Sequence, residues 1–227
     1  FDPFSWLRYK KAAPVDEILG QEERRVQHIL EGIFDRWIDR MAKEIAAGGS
    51  PDLGDMTREL EIALQTQLQQ IALDSALASS SAFEVVDIDS LLNLTAAWAR
   101  NYTYDLVKGI TETTARQIAT IISDFASTPG MTVGDVRARL APLFGDVRAG
   151  LIATTEITRA YSQGIVVTRE MLSHYGIETA MVWRTSHDEL VCPICSPLNG
   201  TYEGGGWSAP PPAHPNCRCW VELEVQT

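Results

Sequence analysis

CPICSPLNGTYEGGGWSAPPPAHPNCRC, residues 192–219, is where the grammar of this chain changes. Upstream, apolar residues recur at helical intervals. Here glycine, proline and cysteine take over, and this stretch holds all four cysteines of the 227-residue chain. Their spacing is C-x2-C-x21-C-x-C, with His214 three residues before Cys217. In Cys192-Pro193-Ile194-Cys195 a tight turn lets two thiolates face one point, the geometry of a zinc knuckle. In Cys217-Arg218-Cys219 an extended backbone puts both sulfurs on one face and Arg218 on the other. The expectation is one structural zinc held by four of the five donors Cys192, Cys195, His214, Cys217 and Cys219. A site of three thiolates and one imidazole would use His214 and release one thiol, such as Cys217. Three other readings compete. The cysteines could form two disulfides in an oxidising compartment, or lie buried as free thiols. They could also form a redox pair, but the C-x-x-C does not precede a helix in a βαβ unit.

Working outward, Thr179 to Arg184 (TAMVWR) and Trp220 to Val225 (WVELEV) read as strands. Asn199-Gly200 is a hairpin turn signal. Glu203 to Pro215, with three consecutive glycines and three consecutive prolines, is a loop. Residues 180–227 contain few aliphatics, so so small a unit cannot easily offset its conformational entropy with its own core. A metal crosslink would hold it, with Trp183, Trp207 and Trp220 as apolar cover. A site whose four positions are all filled by cysteine and histidine is closed, whereas a catalytic zinc keeps one position for water. His187, Asp188, Glu189 and Glu203 are the nearby groups that could act as acid or base if the site were open.

The rest of the chain reads as helix. Val15 to Ala47 carries apolar residues at mostly three- and four-residue spacings and stops at Gly48-Gly49-Ser50-Pro51. A second helix runs from about Asp52 or Asp55 to Ala78, with Leu53, Met56, Leu60, Leu64, Leu68 and Ile71 as its stripe. A third starts near Asp89, with Leu91, Leu94, Trp98, Tyr102, Leu106 and Ile110 inward. Gly109 and Thr111 punctuate it, and a fourth runs from Thr111 to about Phe125. Thr132 and Asp135 form a box-like start for a short fifth helix that ends near Leu140, ahead of Pro142. A sixth spans about Asp146 to Tyr175 and ends at Gly176. On it Glu156 and Arg159 sit at i, i+3, either as a solvated ion pair or as a dock for the β unit, with Gly164 allowing close approach. Residues 1–14 (FDPFSWLRYKKAAP) read as an irregular aromatic arm. The fold class is therefore mainly α: a long-helix bundle with a small C-terminal β-hairpin, zinc-binding unit.

Composition narrows the function. The chain is 45% hydrophobic and 22% charged, the balance of a packed globule. Its formal charge is −11, and none of the stretches 1–50, 51–150, 151–179 and 180–227 has a surplus of cations. A duplex-binding surface needs clustered cations to release counterions, so direct DNA binding is disfavoured. No apolar run approaches the ~20 residues of a membrane span. No P-loop, dinucleotide-binding glycine motif or nucleophile elbow occurs.

The motifs taken together resemble a family. Thr155-Glu156-Ile157-Thr158-Arg159-Ala160-Tyr161 with Gly164 comes first, then Trp183, then His187-Asp188-Glu189-Leu190-Val191-Cys192-Pro193-Ile194-Cys195. Leu198-Asn199-Gly200 and Pro212-Ala213-His214-Pro215-Asn216-Cys217-Arg218-Cys219 follow. This order is similar to the phage head morphogenesis family typified by the F protein of phage Mu, over roughly residues 100–227. The family often has Asp where this chain has Asn199, and Arg near Leu190. The resemblance implies a non-enzymatic minor head protein of a tailed phage or prophage, acting beside the portal in capsid assembly, DNA packaging or delivery. It implies portal or major capsid proteins as partners, with a scaffold protein or a second copy of the chain as further ones. It also implies residence in the virion head and the bacterial host cytoplasm. The implied organisation is an arm (1–14), a helical region that binds portal or capsid (15–130), and a head morphogenesis core (131–227) ending in the cysteine-rich β unit (180–227). Two rival readings are a zinc-dependent hydrolase acting in assembly or entry, and a zinc-containing nucleic-acid-binding module.

Overall fold

In the computed structural model, which describes residues 15–83, 85–186 and 191–225, five α-helices lead into a two-stranded antiparallel sheet. The arm at 1–14 lies outside the described residues, as do His187, Asp188, Glu189 and Leu190. The helices are α1 (Val15–Ala46), α2 (Gly54–Ser81), α3 (Ile88–Ser127), α4 (Val133–Phe144) and α5 (Asp146–His174). The strands are β1 (Thr179–Arg184) and β2 (Trp220–Val225). Among the described residues no helix is long and apolar enough to cross a membrane.

The expected break at Gly109 and Thr111 does not occur: α3 is one helix of 40 residues. A mid-helix glycine costs only about 1 kcal/mol relative to alanine. Val107 and Ile110 are buried on either side of it, so packing outweighs that cost. The start also differs. Asp87, not Asp89, is the N-cap, its side chain accepting from the Ser90 amide at 3.0 Å. The buried stripe of α3 is Leu91, Thr95, Ala99, Thr103, Val107, Ile110 and Thr114, continuing to Ile118 and Ile121. Leu94, Trp98, Tyr102 and Leu106 only flank it. Thr95 and Thr114 can be buried because their hydroxyls donate to the carbonyls of Leu91 and Ile110 on the preceding turn.

α4 has the expected capping box, Thr132 with Asp135. It does not stop at Leu140 but continues through Pro142 to Phe144. The proline removes one hydrogen bond, yet Leu143 and Phe144 bury the final turn, and Phe144 meets Phe34 of α1 edge-on at 5.7 Å. α5 ends in a Schellman motif. Ile177 N–H donates to Leu172 O and Gly176 N–H to Ser173 O, with Gly176 at φ +75°.

α5 is the central element. All five helices build the main core, to which α5 gives Ala149, Ala153, Ile157 and Ala160. Further along, Ile165 joins a second core under the sheet, and Val167, Met171 and Leu172 join a third with Ala76 and Leu91. Its crossing with α2 is set by Gly164. A Cβ there would sit 2.3 Å from Ala72 O and 2.7 Å from Ser75 Cβ. The crossing is tied by Ser75 Oγ donating to Tyr161 O (2.8 Å) and Thr168 Oγ1 to Ala76 O (3.1 Å). Gly164 thus permits close approach to α2, and not to the β unit, the second of the two alternatives its sequence context offers.

Cα partners in the sheet run from Thr179↔Val225 to Arg184↔Trp220. Asn199-Gly200 forms a turn of the type II kind, with Asn199 at φ −57°, ψ 125° and Gly200 at φ +78°. It does not join the two strands. It brings Thr201 and Tyr202 along the free edge of β1, where Trp183 N–H donates to Thr201 O at 2.9 Å.

Candidate metal centre

The long excursion between β1 and β2 returns five donors to one place. The Cys192–Cys195 turn is closed by Cys195 N–H donating to Cys192 O (3.1 Å), and a short 3-10 turn, Ser196–Leu198, follows. From the other side, His214 comes off the proline-rich loop and Cys217 and Cys219 lead into β2. Cys192 Sγ lies 3.0 Å and Cys195 Sγ 3.3 Å from His214 Nε2, and Cys195 Sγ lies 3.8 Å from Cys217 Sγ. Two triads result, Cys192/Cys195/His214 and Cys195/Cys217/Cys219, and Cys195 belongs to both. None of the four cysteines is in a disulfide. These residues form a cluster that could hold a metal ion.

The donor set fits a soft or borderline divalent ion, since thiolate and imidazole are the ligands such ions select. Zinc–sulfur bonds of about 2.3 Å in a tetrahedron place sulfurs about 3.8 Å apart. That is the Cys195–Cys217 spacing. His214 Nδ1 stands 2.8 Å from the Pro215 carbonyl, leaving Nε2 to face the sulfurs. This fixed ring orientation is the usual outer support of a ligating histidine.

The cluster's electrostatics favour ionisation of Cys217 most strongly. A hydrogen bond from the Cys219 thiol brings Cys217 down to about 5, against the effect of its burial. Burial pushes Cys195 up to about 12, and the hydrogen bond to Cys217 together with burial raises Cys219. Around a Cys217 thiolate, Cys195 and Cys219 therefore keep their protons until something more electropositive displaces them. Burial acts upward on Cys192, but the Cys195 amide and side chain, the Ile194 amide and His214 leave it below its ordinary value.

A cavity of about 180 Å³ opens on the cluster, lined by Ser186, Val191, Asn216 and Arg218 besides the donors. Below, the site is covered by Trp183, which is 0% exposed and meets Trp207 edge-on at 5.3 Å, and by Ile165 and Val221. Trp220, expected to share this role, faces away, its Nε1 donating to Glu222. Glu203, a candidate acid or base, pairs with Arg169 at 2.7 Å and lines a different cavity. The other candidates, His187, Asp188 and Glu189, are outside the described residues.

The remaining motif residues fall on three faces of α5 and its neighbours. Thr158 Oγ1 donates to Cys217 O at 2.7 Å, and Thr155 Oγ1 accepts from the Asn216 amide at 2.9 Å. These threonines, not the ion pair, hold the cysteine unit. Glu156 points the other way. It is 6% exposed and accepts from Tyr102 of α3 at 2.5 Å, with Arg159 Nε 3.4 Å away. It is neither a solvated pair nor a contact to the β unit. Asn199 Oδ1 accepts from Thr185 N–H, so this residue fastens the turn beyond β1. Arg218, alternating away from the sulfurs as its spacing requires, pairs with Glu23 of α1 at 3.2 Å. Glu23 was not singled out in the sequence. Its signal is position: it falls on the Leu19, Val26, Leu30, Ile33 stripe, where an unpaired carboxylate would not be buried.

No protein-family model, no curated protein and no solved structure matches the chain.

Proposed function

We propose that this chain is a minor head protein of a tailed phage or prophage, acting by protein–protein docking near the portal, with its C-terminal unit pinned by one structural zinc. One observation carries the reading. Two motifs of the resemblance meet in space, Thr158 with Cys217, 59 residues apart, and Thr155 with Asn216, 61 apart. The helix motif and the cysteine motif are thus one structural device, a metal-closed β unit seated on the central helix of a bundle.

The zinc's role in this reading is architectural. Cys192, Cys195, His214 and Cys217 or Cys219 would hold it and supply a covalent-strength crosslink to a loop-rich segment. Docking would fall to the helical body, which exposes isolated apolar side chains such as Ile62, Tyr104 and Val147 on three different helices. Portal or major capsid subunits are the proposed partners, and the virion head and host cytoplasm the proposed location. The acidic balance, −11 overall, favours contacts with proteins over contacts with DNA.

The test has two parts. Protein purified under reducing conditions is expected to contain one zinc per chain by elemental analysis. Co-expressed with a tailed-phage portal protein, the tagged chain is expected to retain portal through salt washes. Absence of metal removes the zinc reading. Portal that elutes freely, with no chain detectable in assembled heads, removes the head-protein reading.

A further inference from the structure

We propose that the helical body itself sets the affinity of the metal centre: Thr155 and Thr158 of α5 and Glu23 of α1 preset the ligand-bearing segment by gripping Asn216, Cys217 and Arg218. The inference rests on the metal reading above and goes beyond it. A zinc knuckle that stands alone is shaped by its ion. Here three consecutive residues have three partners on two helices of the bundle.

Each grip is specific. Asn216 sits at φ +63°, the one non-glycine residue in the left-handed region among the described residues. Its amide is spent on Thr155 Oγ1 at 2.9 Å. Cys217 gives its carbonyl to the fully buried Thr158 hydroxyl at 2.7 Å. Arg218 reaches the buried Glu23 carboxylate at 3.2 Å. Gripping the backbone on both sides of the Cys217 side chain leaves its sulfur few orientations other than toward Cys195. Arg218 paired to α1 holds the alternation that also turns Cys219 inward. Ordering the ligands before the ion arrives removes part of the entropy cost of binding it. These are positioning residues, not ligands.

The experiment uses the full chain, stripped of metal under reducing conditions and titrated with Co²⁺, whose visible spectrum reports both binding and ligand geometry. Thr158→Val keeps the shape and removes the hydroxyl. It is expected to weaken Co²⁺ binding about 10- to 100-fold, the usual effect of losing an outer support. It is also expected to alter the visible band, and Thr158→Ser is expected to restore both. Glu23→Gln, read in parallel, is expected to weaken binding as well, while far-ultraviolet circular dichroism keeps the helical signal of the body. Wild-type chain that binds Co²⁺, with Thr158→Val and Glu23→Gln matching its affinity and spectrum, overturns this inference and leaves the metal reading standing. Wild-type chain that binds no Co²⁺ overturns both.

Discussion

Glu156 shows what a single carboxylate does when a fold closes over it. Its oxygen takes the Tyr102 hydroxyl at 2.5 Å, and Tyr102 in turn stacks on Trp98, centroids 5.2 Å apart, with the Arg159 guanidinium 5.3 Å from its ring. Burial raises the Glu156 pKa from 4.5, and Tyr102 and Arg159 only partly oppose it. The folded state therefore holds this proton more tightly than the unfolded chain does. The stability it contributes is fully present below about pH 4.5 and is lost as pH rises through the raised folded value. Glu23 shifts the same way, chiefly by burial, but it is common to wild type and variant. Glu156→Gln removes one titration, so its urea midpoint is expected to fall less than that of wild type as pH climbs from about 4.5 to 7. Parallel midpoint curves would show that Glu156 does not titrate differently in the fold. From sequence the i, i+3 spacing with Arg159 was visible. The decisive partner, Tyr102, lies 54 residues away, and no local pattern announces it.

At the scale of elements, the crossing of α2 and α5 is the most constrained joint in the body. Gly164 leaves no room for a methyl group, and the atom in the way is backbone, Ala72 O, so no side chain can swing aside. Gly164→Ala is expected to destabilise the protein by about 2–3 kcal/mol, because the two helices must separate at Ala72, Ser75 and Ala76. Guanidinium denaturation checks it, and a loss under about 1 kcal/mol would mean that the helices part cheaply. The helices were legible because their apolar periods are long and strong. So were the β1 and β2 spans, the Thr132–Asp135 cap and the Gly176 stop, each of which rests on local chemistry. What sequence misjudged was decided by packing. Gly109 looked like punctuation, yet α3 runs through it because buried residues on both sides hold the helix. Threonines were passed over as core, yet Thr95 and Thr114 satisfy their hydroxyls on their own helix and bury. α5 itself, buried nearly all round from Ala153 to Thr168, carries Thr, Ser, Gly and Glu where a stripe would be sought, because three cores and three hydrogen-bonded joints meet on it. In the metal centre the five donors could be named from spacing, and Thr155 and Thr158 as members of the helix motif, but neither the grip of those threonines on Asn216 and Cys217 nor Glu23 could be.

For the whole molecule, the sheet unit and the helical body depend on different forces. The body has the main core, built from all five helices. The unit's core has, among the described residues, eight buried members, three of them cysteines and one, Ile165, supplied by α5. If a metal completes that small core, removing it should loosen the unit while the body persists. It should not loosen the unit evenly. Within residues 191–215, the stretch 199–203 is fastened to β1 and to Arg169 of α5, and the flanking stretches are held chiefly through the donors and Trp207, whereas 216–218 are fastened by Thr155, Thr158 and Glu23. In hydrogen-exchange measurements on the metal-loaded chain, a chelator is expected to speed amide exchange across 191–198 and 204–215 by at least about tenfold, equivalent to about 1.4 kcal/mol of lost local protection. Exchange should change less at 216–218 and little across α5. Because Trp183 is fully buried beside the cysteines, its near-ultraviolet dichroism should fall in step, while the helical far-ultraviolet signal stays. A chelator that leaves 191–198 and 204–215 as protected as before would mean that apolar packing alone holds the unit. Loss of protection in α5 at the same chelator concentration would mean that body and unit unfold as one, and that the central helix needs the metal as much as the sheet does.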